Sequence, residues 1–235
     1  MRLLLISNST MAGEAYLEYP KKAIGKFLGK NARHIVFIPY AAVTFSYDAY
    51  VDKVNERFNE LGCTVNGIHT FENKLEAIRN ADAIVVGGGN TWNLLRNMRT
   101  EGLLDPIREK VKSGMPYIGW SAGSNVACPT IMTTNDMPIV DPLGFDALGL
   151  VPFQINPHYL DANPNGHAGE TREQRIEEFL AVNRQIKVLG LREGSMLLVH
   201  DGQISLQGLR SARVFSWATK PEEMIPGSDL SFLLE

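Results

Sequence analysis

The sequence has little cysteine and no marked excess of charge of either sign, and each shortage excludes a class of protein. Cys63 and Cys128 are the two cysteines of the 235 residues, and neither has metal-ligand spacing, which argues against a disulfide framework or a zinc site. Asp and Glu number 26 against 23 Lys and Arg, so neither nucleic acid nor an anionic membrane is the expected partner. We expect reduced thiols in the cytoplasm and no bound metal.

Long apolar runs are also missing. The N-terminal run ends at Ile6, where Ser7 and Asn8 follow, and it is too short for a signal-peptide core or a membrane span. We interpret it as a buried first strand. Hydrophobic residues make up 44% of the chain, beside 21 Gly and 12 Pro, which suits one globular domain over residues 1–235.

Short apolar runs alternate with helical patterns through much of the chain. Continuous runs rich in Val and Ile are typical of parallel strands covered on both faces, and they predict strands at 3–7, 34–39, 65–69, 83–86, 117–120 and 188–191. The clearest predicted helix follows Ser46 and stops at Gly62, and others cover 20–28, 74–80, 91–96 and 103–113. This alternation predicts a doubly wound, mostly parallel α/β sheet with helices on both faces.

The pattern changes after Cys128. A long, weakly periodic segment follows, of the kind that often carries function in a compact domain, and we expect it to wall the active site. Thr171 and Gln174 have the spacing of a capping box, which predicts a helix through Val182. The C-terminal part predicts an antiparallel hairpin extension, with strands at 195–200 and 203–206 joined at Asp201-Gly202 and a further strand at 212–217.

Ser121 lies in the stretch around which we expect the fold to be organised. It stands between Gly119 and Gly123 after the apolar run at 117–120, in the G-x-S-x-G pattern of a nucleophile elbow. The tight turn demands strained backbone angles and glycines beside the serine. A helix beginning at Ala122 turns its free amides toward the site, so the Ala122 amide is a predicted oxyanion donor. The G-x-S-x-G pattern also occurs by chance, so its value as evidence for a nucleophile depends on whether the sequence offers partners for Ser121.

A serine hydroxyl needs a base and a group that orients that base. Among the five histidines we favour His158, because it lies in the turn signal Asn156-Pro157-His158 after an apolar run. His167 in a Gly-rich loop is a second possibility, while the remaining histidines have ordinary structural contexts: His34, His69 and His200.

Two carboxylates are candidates for the orienting acid. Glu193 follows the apolar run 188–191, and a carboxylate at the carboxyl end of a parallel strand would share a sheet edge with Ser121. Asp136, in the loop after Cys128, is the alternative. We favour Glu193. The chain order Ser121, His158, Glu193 differs from the α/β-hydrolase order, in which the acid precedes the histidine.

Three glycines, Gly87 to Gly89, follow the run 83–86 and let the backbone pass close to a ligand. They resemble a phosphate cradle at a helix start, which would make the protein a non-enzymatic, flavodoxin-like binding module. The loop has neither G-x-G-x-x-G spacing nor a P-loop lysine, however. The alternative is that the Gly89 amide supplies the second oxyanion donor and that Asn90 binds substrate.

Taken together and in order, these motifs resemble the peptidase E family of bacterial α-aspartyl dipeptidases. The resemblance covers nearly the whole chain and rests on five segments: Gly87-Gly88-Gly89-Asn90-Thr91, Gly119-Trp120-Ser121-Ala122-Gly123-Ser124, Asn156-Pro157-His158, Gly169-Glu170-Thr171-Arg172-Glu173 and Arg192-Glu193-Gly194. It implies a serine peptidase that splits Asp-X dipeptides without metal or cofactor, on a fold similar to class I glutamine amidotransferases. Its triad maps onto Ser121, His158 and Glu193, with Asp136 kept as an alternative acid. In the amidotransferases cysteine replaces the serine and glutamate stands where this chain has Leu160.

The selection of aspartate requires a cation for the substrate's side-chain carboxylate. Arg172, at a predicted helix N-terminus, offers a guanidinium and free amides, although Glu170 and Glu173 could instead hold it in a surface charge network. A cyanophycinase-like hydrolase would use the same triad on β-aspartyl links, and this remains an alternative. The sequence makes no prediction of the oligomeric state.

Overall fold

The strands of the protein are mostly the short apolar runs of the sequence. The computed structural model describes residues 1–30, 32–163, 166 and 168–235. Its strands are β1 (Arg2–Ile6), β2 (Ile35–Ile38), β3 (Val65–Gly67), β4 (Ala83–Val86), β5 (Tyr117–Trp120), β6 (Gln154–Tyr159), β7 (Val188–Arg192), β8 (Ser195–His200), β9 (Gln203–Gly208), β10 (Ala212–Phe215) and β11 (Glu222–Met224).

Seven of these strands form the main sheet, in the order β3-β2-β4-β5-β1-β8-β9. The first five strands are parallel, and β8 and β9 are an antiparallel hairpin that pairs with β1. The predicted parallel α/β class and the antiparallel C-terminal hairpin are thus confirmed. In register, Gly119 of β5 lies opposite both Leu5 of β1 and Val86 of β4. The residues that follow these three strands therefore emerge together at one edge of the sheet.

Most helices lie on the two faces of this sheet, and the last one packs against β6, β7 and β10 instead. They are α1 (Lys21–Leu28), α2 (Tyr47–Glu60), α3 (Lys74–Asn80), α4 (Thr91–Thr100), α5 (Leu104–Lys112), α6 (Ala122–Asn125) and α7 (Arg172–Val182), with 3-10 turns at Ile68–Thr70 and Ser231–Leu234. Leu3 and Leu5 of β1 pack in one core with α3, α4 and α5, whereas Leu4 and Ile6 pack in another with α1 and α2. This burial on both faces explains why the strands are apolar without alternation.

Strand β7 departs from the prediction. It was expected in the parallel sheet, but it lies in a second, four-stranded sheet in the order β11-β10-β7-β6. The edge of β1 is already occupied by β8, so β7 pairs in parallel with β6 instead. Gly190 makes this packing possible, because a Cβ there would lie 2.8 Å from the ring of Tyr159.

None of the described helices is long and apolar enough to cross a membrane.

Candidate active site

Ser121 forms the turn between β5 and α6, and its backbone is strained as an elbow requires. Its φ is 54° and its ψ is −113°, angles that a residue other than glycine rarely adopts. The glycines on either side are needed for close packing, because a Cβ on Gly119 would lie 2.3 Å from the Gly123 carbonyl oxygen and a Cβ on Gly123 would lie 2.1 Å from that of Val86. The Ser121 amide donates to the Ile6 carbonyl at 3.0 Å, which ties the turn to β1.

His158 lies in strand β6, so the expected turn is wrong. The Asn-Pro signal that suggested the turn is accommodated because β6 is the edge strand of the second sheet, where proline is tolerated. The register with β7 shifts between Pro157 and Tyr159, and His158 has a φ of 53° at this irregularity. Such bulges occur next to active sites because they re-aim a side chain.

The side chains of Ser121, His158 and Glu193 form a hydrogen-bonded chain. His158 Nε2 lies 2.9 Å from Ser121 Oγ, and His158 Nδ1 lies 2.7 Å from Glu193 Oε1. The His158 and Glu193 side chains are 40% and 43% exposed, so a small substrate can reach them. Glu193 reaches the site from the end of β7 in the second sheet, and not from the main sheet edge as the sequence argument assumed. The serine and its two hydrogen-bonded partners therefore come from different sheets.

Two backbone amides flank the serine. A Cβ on Gly88 would lie 3.0 Å from Ser121 Cβ, so the loop passes directly beside the elbow. Gly89 has a φ of 133° and a Cβ there would lie 2.3 Å from the Ala41 carbonyl oxygen, which restricts this position to glycine. The amides of Gly89 and Ala122 donate to none of the described residues. We call Gly88 and Gly89 the oxyanion loop.

Tyr50 of helix α2 holds the oxyanion loop through a hydrogen bond. Its hydroxyl donates to the Gly88 carbonyl at 2.9 Å and accepts from Trp120 Nε1 at 3.2 Å. Burial raises the pKa of the Tyr50 hydroxyl, so the group stays protonated and keeps its donor role. In a trans peptide the N–H points opposite to the C=O, so the Gly89 amide points away from Tyr50. Sequence reasoning missed Tyr50 as a residue of the site, because its contact with the Gly88 carbonyl is tertiary and leaves no local signal.

Comparison with known proteins identifies the family. Residues 3–207 match the sequence model of Peptidase family S51. Relatives named Peptidase E include one from Nostoc sp. (strain PCC 7120), 53% identical over 234 residues that cover 100% of this chain and 97% of the relative. Another, from Salmonella typhimurium (strain LT2), is 54% identical over 215 residues, 92% and 93% of the two chains. This chain belongs to peptidase family S51. It is a serine peptidase of the dipeptidase type, as the motifs predicted.

Solved structures support the fold of the S51 chain. A crystal structure of a peptidase from an acI-B1 Actinobacterium aligns with a TM-score of 0.72 at 15% identity, over 98% of this chain and 96% of that one. A Listeria monocytogenes EGD-e structure aligns with a TM-score of 0.64 at 25% identity, over 88% and 98%. Membership of a peptidase family overturns the alternative of a non-enzymatic, flavodoxin-like binding module.

Asp136 of this S51 chain contacts helix α4. Its Oδ2 accepts from the Thr91 amide at 2.8 Å, from the Thr91 hydroxyl at 2.6 Å and from Thr134 Oγ1 at 3.2 Å. A carboxylate at a helix N-terminus is stabilised by the free amides and the helix dipole. The carboxylate that the structure brings to the His158 imidazole is that of Glu193.

Asn90 and Arg172 have different surroundings. Asn90 caps α4, where Oδ1 accepts from Asn93 N at 3.0 Å and Nδ2 donates to the Met137 carbonyl at 2.9 Å. Arg172 opens α7 and lines a cavity of about 170 Å³ together with Asp136. Burial and the neighbouring Arg175 lower the pKa of Arg172, while Asp136 opposes this effect. Its guanidinium forms no hydrogen bond or ion pair with the described residues.

Three other histidines of this S51 peptidase, His34, His69 and His200, lie apart from the hydrogen bonds that join Ser121, His158 and Glu193. His69 Nε2 lies 2.8 Å from Asp48 Oδ1, His200 neighbours Asp201, and His34 lines a surface groove near α3. His167 lies outside the described residues. Within residues 1–30, 32–163, 166 and 168–235, no three His, Cys, Asp or Glu side chains cluster as a metal site.

Proposed function

We propose that this S51 peptidase hydrolyses dipeptides with N-terminal aspartate, with Ser121 as nucleophile, His158 as base and Glu193 as orienting acid. The observation that carries the proposal is the continuous hydrogen-bonded chain from Ser121 Oγ through the imidazole to Glu193 Oε1. The names of the 53% and 54% identical relatives support the substrate class that the motifs imply. We also propose one catalytic domain over residues 1–235 and a cytoplasmic location, which the free thiols of Cys63 and Cys128 favour.

The reaction is an acyl transfer in two stages. His158 Nε2 takes the hydroxyl proton as Ser121 Oγ attacks the carbonyl carbon of the aspartyl residue. The amides of Gly89 and Ala122 donate to the oxyanion, and because they have no partner among the described residues they are free to do so. His158 then protonates the leaving amine as the peptide bond breaks. Water, activated by the same imidazole, hydrolyses the aspartyl ester and restores Ser121. None of these steps needs a cofactor.

Recognition of aspartate uses the cavity beside α7. The Arg172 guanidinium is half-buried and carries positive charge. Asp136 lies near it, but the guanidinium forms no hydrogen bond or ion pair with the described residues, so the substrate's side-chain carboxylate would supply a direct partner. The substrate's α-ammonium group needs acceptors of opposite charge. Asp136 lines the same cavity, and Asn90 stands in the adjoining loop, hydrogen-bonded to the carbonyl of Met137. We assign the amine to this side of the site.

The test compares four substrates, Asp-Leu, Asn-Leu, Glu-Leu and β-Asp-Leu, with wild type and Ser121→Ala in the presence of EDTA. Cleavage of Asp-Leu alone, abolished by Ser121→Ala, is the expected result. Preference for β-Asp-Leu would instead support the cyanophycinase-like alternative. Arg172→Ala should lower kcat/KM for Asp-Leu, with a loss of transition-state stabilisation of a few kcal/mol, since a half-buried charge partner of the substrate is lost. Unchanged kinetics for that variant would reject the role of Arg172.

A further inference from the structure

Three consecutive residues at the end of β1 accept hydrogen bonds from backbone amides of the site. These amides belong to Ser121, to His158 and to the residue after Glu193. The Ile6 carbonyl accepts from the Ser121 amide at 3.0 Å. The Ser7 hydroxyl accepts from the His158 amide at 3.0 Å, and Asn8 Oδ1 accepts from the amide of Gly194, next to Glu193, at 2.9 Å. We call Ile6, Ser7 and Asn8 the β1 exit segment.

The Ser7 hydroxyl is fully engaged. Besides accepting from His158, it donates to the carbonyl of Leu191 at 2.7 Å, so one group ties β6 and β7 together near their carboxyl ends. Ser7 itself is 0% exposed, and its amide donates to the Ser195 carbonyl at 3.0 Å. A buried hydroxyl without partners would be costly, and here both partners belong to strands that carry site residues.

Asn8 is held just as firmly. It is 1% exposed, and its Nδ2 donates to the Thr10 carbonyl at 2.8 Å. Its Oδ1 also accepts from the Tyr19 hydroxyl at 2.7 Å. Gly194 has a φ of 84°, so the turn after Glu193 is itself a conformation that needs support. The Asn8 carboxamide supplies it through a hydrogen bond to the Gly194 amide.

The need for such a connection follows from the topology. Ser121 follows a strand of the main sheet, whereas His158 and Glu193 belong to the second sheet, and the separation of two sheets is not set by ladder hydrogen bonds. His158 is in addition at a bulge with positive φ, a strained conformation that persists only when its surroundings enforce it. The β1 exit segment contacts both sheets. It continues β1, which pairs with β5 in the main sheet, and the Ser7 hydroxyl hydrogen-bonds to His158 and Leu191 of the second sheet.

We propose that Ser7 and Asn8 are positioning residues, with Ser7 setting the distance of the His158 imidazole from Ser121 and Asn8 setting the place of Glu193. This inference rests on the proposed function of the three residues. Neither side chain touches substrate. A displacement of about 1 Å in a catalytic group lowers the rate by about 100-fold, so removal of the Ser7 hydroxyl acts on kcat and leaves KM nearly unchanged.

The test uses Ser7→Ala, Asn8→Ala and a matched control. Ser195→Ala removes an equally buried hydroxyl, which donates to the Arg210 carbonyl at 2.6 Å and not to the site. We expect Ser7→Ala to lower kcat for Asp-Leu by about 10-fold to 100-fold with KM within about twofold, Asn8→Ala to act in the same direction, and Ser195→Ala to keep kcat. Ser7→Thr, which keeps the hydroxyl, should recover kcat relative to Ser7→Ala.

Two further readouts distinguish a positioning role from a purely structural one. In a His158→Ala background, Ser7→Ala should cause no additional loss of rate, because its effect passes through the imidazole. The low-field proton resonance of the Nδ1–H between His158 and Glu193 should shift or broaden in Ser7→Ala and not in Ser195→Ala. If Ser7→Ala does not fold, Asn8→Ala is judged by the same criteria.

The outcomes separate this inference from the proposed function. Full activity of His158→Ala would reject the proposed function itself. Loss of activity in His158→Ala together with wild-type kcat in both Ser7→Ala and Asn8→Ala would reject the positioning role alone. Equal losses of kcat in Ser7→Ala and Ser195→Ala would also reject it, because a general loss of packing would then explain both.

Discussion

Replacement of Glu193 by glutamine tests the chain of hydrogen bonds at its far end. The substitution keeps the size of the side chain and leaves an oxygen that can still accept from His158 Nδ1, which now lies 2.7 Å from Glu193 Oε1. It removes the negative charge that stabilises the imidazolium formed during acyl transfer. We therefore expect kcat to fall while KM changes little, because the contact of Glu193 in the site is with the His158 imidazole.

The size of the effect follows from the distance and the exposure. Opposite unit charges about 4 Å apart attract by about 1 kcal/mol in water and by about 4 kcal/mol at an effective dielectric constant of about 20. His158 and Glu193 are 40% and 43% exposed, so solvent screens much of the attraction. We expect the activation free energy to rise by about 1 to 3 kcal/mol, which lowers kcat by about 5-fold to 150-fold.

The assay is hydrolysis of saturating Asp-Leu at neutral pH, with Glu223→Gln as control. Glu223 is 48% exposed and pairs with Arg192, the residue before Glu193, so its replacement removes a nearby charge without touching the imidazole. The control should keep wild-type kcat. Wild-type kcat in Glu193→Gln, or an equal loss in both variants, would refute the argument that contact with His158 sets the effect.

Three further predictions concern the surroundings of the site, and the second has a matched control elsewhere in the fold. Tyr50→Phe, which removes the donor to the oxyanion loop, should lower kcat by about tenfold with KM little changed, and a larger effect on KM would contradict an oxyanion role. Gly123→Ala brings a Cβ to 2.1 Å from a β4 carbonyl oxygen and should destabilise the fold by about 3 kcal/mol or more in urea unfolding. Gly25→Ala, where the added Cβ meets only a flexible leucine end at 3.0 Å, should be far milder. Arg192 lowers the pKa of Asp161, so Asp161 adds stability above its unfolded pKa that is lost as the pH falls through its lowered folded pKa. The acid-induced fall in unfolding free energy should be smaller in Asp161→Asn than in wild type, and identical pH profiles would contradict this assignment.

Local signals determined much of this protein from sequence alone. Strands at 83–86 and 117–120 and the helix at 74–80 occur where the apolar pattern predicts them, and the capping box of Thr171 and Gln174 is formed. The elbow at Ser121 was also predictable. Its tight turn requires glycines within two residues on either side, and these glycines are visible in the local sequence. Spacing and turn chemistry act over a few residues and can therefore be recognised in one chain.

Tertiary structure alone decided which strands pair and where their ends meet. Strand β7 joins the second sheet because β8 occupies the edge of β1. The local sequence of 188–192 cannot indicate which of the two strands pairs with β1. His158 lies on a bulged strand because of its register with β7, although its sequence context favoured a turn. Ser7 and Tyr50 gained their contacts to the site from strands and loops distant in sequence. The motifs thus indicated the groups that we propose to react, and long-range packing set the distances between them.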